Sequence, residues 1–393
     1  MFKRILRGTG LDLHTISVSL TKDPELGWIP ALRRLTHAFF FILFISNCLL
    51  INFLKIILSP FYRLLHGCAV PVVVRTPEHR FHGLESLGYT FSSHYISIGT
   101  GSGATLPRVH YLDCGPRNAP VILCLHPEPA WCFIYRNMLP GLVSAGYRVV
   151  APDMIGFGQS DKFTSPDNYS HELHTMVLRQ LVDRLQLADI TLVVHGGPTG
   201  LSVVKDCPDR FSNLVLLNTW LPTGRVTDHL EDQNGTKASR YFGLCRLLPF
   251  LAWRSLALAC GCCFPVPCTT CHFLFPKLCG CNRGVAAGYN APFVSRLHKA
   301  GVAAWPLLAP VYADDPVASH MEDARKCLKN WKKPVLIMFG DEDPVLGWAE
   351  KLFLNLVPHA KRVPVRGAGH FPQETNHYFL VDNILKFLKC HKE

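Results

Sequence analysis

The sequence predicts an α/β protein: a mostly parallel sheet flanked by helices, with an inserted cap and a membrane-spanning helix ahead of it. Three observations carry this. From about residue 70, short apolar runs rich in β-branched residues alternate with helical patterns, the signature of a parallel sheet buried on both faces. The alternation breaks over about 222–325. Residues 38–58, AFFFILFISNCLLINFLKIIL, are apolar for about the length that crosses a bilayer.

Residues 1–36 are a polar, basic lead-in, and 37–66 hold the anchor. Asn47, Asn52 and Lys55 interrupt it, and a lysine stem can snorkel to the interface. A late start, the length and the lack of a small-x-small cleavage motif argue against a cleaved signal peptide. Arg33 and Arg34 before the span, against Arg63 and Arg75 after it, lean only slightly towards a cytosolic N-terminus. The expected location is a membrane, single-pass, with the endoplasmic reticulum one candidate.

The core's first part, 70–221, contains the strands RVHYLD (108–113), VILCLH (121–126), RVVAPD (148–153), ITLVVH (190–195) and NLVLLNT (213–219). Between them, 171–187 places Leu173, Val177, Leu181 and Leu185 four apart, a helical stripe. The second part, 326–393, opens with the strand PVLIMFGD (334–341).

Between these parts, 222–325 reads as a cysteine-rich cap. Eight of the chain's 16 cysteines lie between Cys245 and Cys281. CTTC (268–271) followed by CGC (279–281) fits no standard zinc spacing, so no metal is expected. Disulfides there would need an oxidising compartment. Acylation near a membrane is another option, and the simplest role is that of a small apolar residue. The sequons at Asn168 and Asn234 could be used only on a lumenal side.

Apolar residues make up 48% of the chain, enough for a sizeable core. The formal charge of +11 is scattered, apart from RKCLKNWKK (325–333), whose spacing suits a solvated helix face. No basic stripe with stacking aromatics accompanies it, so nucleic acid is excluded as a partner. Anionic lipid is the better use of the charge.

Four segments carry the candidate chemistry: LHPEPAW (125–131), the turn after the strand in TLVVHGGPTG (191–200), FGDEDPVLG (339–347) and RGAGHFPQE (366–374). The first three follow strands, where open α/β sheets place their sites. The order turn, acid, His is that of the α/β-hydrolases.

From about residue 75 the chain resembles the haloalkane dehalogenases. The resemblance rests on RTPEHRF (75–81), HYLDCG (110–115), HPEPAWCFIYRNMLP (126–140), RVVAPDMIGFGQSDK (148–162), ITLVVH and AGHFPQE (368–374). It implies a carboxylate that displaces halide from carbon to form an alkyl-enzyme ester, and a His that activates water against that ester. It also implies an acid that orients the His. His370 matches the base and Asp343 the acid, with Asp341 assigned to turn chemistry. The backbone N–H groups of Glu128 and Gly197 fall at the oxyanion positions, and Pro127 replaces the usual Gly. Trp253, in the cap, resembles the halide-binding Trp, with simple packing as its alternative.

The elbow departs from the pattern. Gly196 occupies the nucleophile position and Gly197 that of a halide-binding Trp. Neither has a side chain to attack carbon or donate to halide. Thr199 is expected in the first helical turn pointing away from His370, and His195 on the other side of the turn. The implied function is a membrane-anchored hydrolase of haloalkane dehalogenase type acting on small lipophilic substrates, with activity weakened or absent and no cofactor. Three alternatives stand: an inactive fold that binds a lipophilic ligand or protein partner, epoxide hydrolase or esterase-like turnover through His370-activated water, and a membrane scaffold supporting the cysteine-rich cap.

Overall fold

A computed structural model describes residues 72–99, 107–224, 283–310, 313–343 and 345–391. The expected anchor, Trp253 and the cysteine cluster of the cap lie outside the described residues. Among the described residues no helix is long and apolar enough to cross a membrane.

Ten strands are present among these residues: β1 (Val73–Val74), β2 (Ser93–Ile96), β3 (Val109–Cys114), β4 (Val121–Leu125), β5 (Arg148–Pro152), β6 (Lys162–Phe163), β7 (Ile190–Gly196), β8 (Phe211–Thr219), β9 (Val335–Met338) and β10 (Lys361–Arg362). Eight form one sheet in the order β10-β9-β8-β7-β4-β5-β3-β2. The β2–β3 and β3–β5 pairs are antiparallel, and the remaining pairs are parallel. β1 and β6 make a separate antiparallel ribbon. The central strands are covered on both faces: Ile122, Leu123, Leu192, Val193, Leu216, Leu336 and Ile337 are fully or almost fully buried. This is why those runs are continuously apolar rather than alternating.

The helices are α1 (Leu139–Ser144), α2 (His171–Arg184), α3 (Thr199–Asp206), α4 (Arg283–Asn290), α5 (Ala300–Leu308), α6 (Pro316–Lys329), α7 (Glu350–Leu356), α8 (Pro372–Thr375) and α9 (His377–Lys389). Ser170 starts α2 by accepting from Leu173 N–H, and Asp315 starts α6 by accepting from Val317 N–H, satisfying donors that a helix leaves open at its first turn. α2 and α6 both pack on α3, and α1 packs on α9. One expectation is corrected here. The basic run 325–333 is not one helical face: α6 ends at Lys329, Trp331 is buried, and Lys333 Nζ donates to Pro208 and Phe211 carbonyls.

Candidate active site

β7 carries the chain through the centre of the sheet and stops at Gly196, where φ is +77°. Pro198 and then α3 follow. This is a strand–turn–helix elbow, and its tip holds a backbone conformation that glycine adopts without steric cost. A Cβ at 196 would stand 2.7 Å from Pro127 Cβ and 3.1 Å from Pro127 Cα. The loop after β4 therefore closes over the elbow through Pro127 and leaves no space for a side chain at the tip.

His370 and Asp343 come together. His370 Nδ1 lies 3.0 and 3.2 Å from the two carboxylate oxygens of Asp343. Asp343 follows β9, and His370 follows β10. A carboxylate at Nδ1 fixes the orientation of the ring. Asp341 keeps its turn role, accepting from Gly367 N–H at 2.8 Å.

Asn218, at the carboxyl end of β8, holds both loops. Its Nδ2 donates to the carbonyls of Gly369 (3.1 Å) and His370 (3.0 Å), and its Oδ1 accepts from Gly340 N–H (2.8 Å). Sequence reasoning missed this residue. The available signal was the second amide of NLVLLNT, placed after four consecutive apolar residues.

His195 corrects another expectation. It faces the base: the His195 and His370 rings meet edge to face with centroids 5.1 Å apart. His195 Nδ1 is paired with Gln373 Nε2 at 3.0 Å. Burial, and then the neighbouring His370, push the His195 imidazole well below its ordinary range, so it stays neutral at physiological pH. Thr199 is the first residue of α3 and is buried.

Of the two expected oxyanion donors, one has a backbone partner within the protein. Gly197 N–H donates to His195 O at 3.0 Å. At Glu128, burial raises the carboxyl well above the usual carboxylate range. A donor spent inside the protein does little for a developing oxyanion, since it must first give up its partner.

The space above Gly197 is occupied. The Glu128 carboxyl oxygens lie 3.0 and 3.3 Å from the point where a Cβ on Gly197 would stand, and Trp305 Cζ2 lies 3.2 Å from it. Trp305, on α5, meets His174 edge-on at 4.7 Å and Phe157 at 5.9 Å. His174 is fully buried, and burial pushes its imidazole down to about 3. No motif pointed to Trp305, because a Trp in AGVAAWPLL reads equally well as packing.

His110, Cys132 and Asp153 form a second buried cluster, with candidate ligand atoms within 4.8 Å of one another. Its hydrogen bonds identify it as structural. Asp153 takes the His110 Nδ1 contact (2.7 Å) and accepts from the N–H groups of Cys132 (2.7 Å) and Gln159 (2.8 Å).

The sheet order, the elbow after the central strand and the acid–His pair beyond it define an α/β-hydrolase. Accordingly, residues 120–254 match the family model described as alpha/beta hydrolase fold. The chain is 35% identical over 321 residues to a haloalkane dehalogenase of Psychrobacter cryohalolentis, covering 80% of this chain and 98% of that protein. It is 36% identical over 319 residues to one of Mycobacterium marinum, covering 80% and 99%. Among solved structures, the haloalkane dehalogenase DpaA from Paraglaciecola agarilytica aligns with a TM-score of 0.65 at 29% identity, over 80% of this chain and 97% of that one. The chain belongs to the haloalkane dehalogenase family.

Proposed function

We propose that this chain is a membrane-anchored member of its family that binds small lipophilic molecules and has lost the covalent route to halide displacement. One observation carries the reading: at Gly196 there is neither an attacking atom nor room for one, because Pro127 occupies the space of the missing side chain. Removing a nucleophile alone commonly costs several powers of ten in rate. The apolar segment 38–58 and the charge of +11 support attachment to a membrane carrying anionic lipid. The test is the full chain in detergent micelles, incubated with 1-bromohexane. No bromide above background and no alkyl adduct by intact mass is expected. Bromide release with a trapped adduct would overturn the reading.

The intact His370–Asp343 pair favours a second reading, slow hydrolysis of activated esters or epoxides by His370-activated water. Turnover of p-nitrophenyl butyrate that vanishes in His370→Ala would support it. Equal turnover in parent and variant would exclude it.

A further inference from the structure

The basic residues of the chain are scattered, but the acidic ones are not. Residues 26–77 and 233–313 contain no Asp or Glu and, between them, 13 Lys and Arg. The rest of the chain carries 27 Lys and Arg against 29 Asp and Glu. The whole positive excess therefore belongs to two stretches of sequence.

Those stretches meet in the fold. The first ends just after β1, and the second contains Arg296–Lys299, one short helical turn ahead of α5. Thr76 Oγ1 donates to Pro292 O at 2.8 Å, and the His298 ring reaches Arg75 O at 3.5 Å. β6, the partner of β1, also packs on the turn. At this junction Val72, Val73, Val294 and Leu297 are 56, 43, 46 and 52% exposed. They are four of the seven large apolar side chains exposed among the described residues, and apolar surface gathered in one place marks a contact site. Arg80 and Arg296 are exposed on the same segments, and Lys299 is half-exposed. Asp161 beside them is engaged by Arg75 at 2.9 Å and Arg108 at 3.4 Å. Glu78 is the exposed acid of the loop after β1.

The sequence leads from the apolar run 38–58 directly to this junction. Residues 59–71 separate the two, with Arg63 and no acid among them, and 13 such residues reach at most about 45 Å. The chain thus enters the folded unit at the exposed valines. An anchor in a bilayer would keep this junction near the lipid surface and raise its effective concentration there.

We propose that this junction is a docking face for a bilayer carrying anionic lipid: Val72, Val73, Val294 and Leu297 enter the headgroup region, while Arg80, Arg296 and Lys299 meet the negative headgroups. This rests on the membrane reading above and goes beyond it, giving the folded unit a second membrane contact separate from the anchor. Apolar area and attraction to anionic lipid act together in interfacial binding. Each Lys or Arg near such a surface strengthens it about fivefold.

The experiment uses the full chain in nanodiscs of phosphatidylcholine brominated on its acyl chains, with or without phosphatidylserine. Leu297→Trp and Val294→Trp place reporters on the face, and Tyr378→Trp places one at an exposed position on α9. The emission each adds to that of the parent is followed. With phosphatidylserine, bromine is expected to quench the reporters at 294 and 297 and to spare the one at 378. Adding Arg296→Gln and Lys299→Gln to Leu297→Trp should lower the ratio of docked to undocked protein about 25-fold and remove most of the quenching. Equal quenching at 297 and 378, or none at 294 and 297, in discs that hold the chain would overturn the docking face and leave the anchor standing. Quenching at 297 that is the same without phosphatidylserine would overturn the anionic-lipid assignment. Reporters at 294 and 297 shielded from acrylamide in lipid-free micelles would show the face covered by the chain itself and overturn the proposal. If the discs do not retain the chain, the membrane reading itself fails, and this inference fails with it.

Discussion

The Cβ of Pro127 stands 2.7 Å from the point that a Cβ on Gly196 would occupy. The two positions are therefore coupled: a side chain can exist at one only if the other gives way. Gly196→Asp alone is expected to destabilise the protein by about 2–3 kcal/mol, from overpacking and from a non-glycine residue at positive φ. It should release no bromide from 1-bromohexane. Adding Pro127→Gly removes the obstructing carbon and should recover about half of the lost stability. Gly197 stays glycine in this pair, because a Trp there would meet Glu128 and Trp305. Thermal melts of the parent, the single variant and the pair check the coupling. Equal losses in the single variant and the pair would break it.

Asn218 connects β8 to both loops that carry the acid–base pair. Its three hydrogen bonds are to Gly340, Gly369 and His370 backbone atoms, and it is fully buried. Asn218→Ala leaves these groups unpaired, for an expected loss of about 2–4 kcal/mol. Asn218→Asp keeps the acceptor, loses both donated bonds and adds a charge in the interior. Urea titration should rank parent, then Ala, then Asp in falling stability. If Asn218→Ala melts with the parent, the clamp contributes nothing.

The contrast between these residues shows what the sequence makes legible. Strand runs such as VILCLH and ITLVVH read correctly because a strand buried on both faces must be continuously apolar, a local property. The resemblance singled out His370 and Asp343, whose segments come in the hydrolase order, and the two side chains lie within hydrogen-bond distance. Asn218 and Trp305 act through neighbours more than a hundred residues away, or on another element, and no local pattern encodes that. The side to which His195 points is not legible locally, because the direction of one side chain at a strand end depends on register, which shifts between His195 and Gly196. The lack of side chains at positions 196 and 197 was legible at once in HGGP. The close approach of Pro127 to the tip required the fold.

The loop after β4 is also tied to the C-terminal helices by an interior ion pair. Arg136 Nη1 and Nη2 meet Glu374 Oε1 and Oε2 at 2.6 and 2.7 Å, with both side chains 3% exposed. Tyr289 donates a further hydrogen bond to Glu374. Removing one member leaves the other charge buried, so Glu374→Ala is expected to cost about 3–5 kcal/mol. Arg136→Met with Glu374→Leu removes both charges and should cost less than the single change. Chemical denaturation of the three proteins distinguishes these outcomes. A double variant less stable than Glu374→Ala would show the pair to be net stabilising beyond its cost of burial.

Acid sensitivity should centre on Asp153. Burial alone would raise its carboxyl, but the His110 ring, with further help from His126 and the Cys132 N–H, outweighs burial and holds it below the usual carboxylate range. A carboxylate whose folded-state affinity for protons is lowered contributes stability that is present above its unfolded range, near pH 4. That contribution is lost as pH falls through the folded value. Asp153→Asn keeps the shape, removes the charge and puts an amide where an acceptor oxygen took backbone N–H bonds. It is expected to lower stability at pH 7 by about 3 kcal/mol and to flatten the dependence of stability on pH between about 5 and 3. Melting temperatures of parent and variant over this range are the measurement. Parallel curves would place the acid-sensitive group elsewhere, with Asp113 and Asp161, both held low by arginines against their own burial, the next to test.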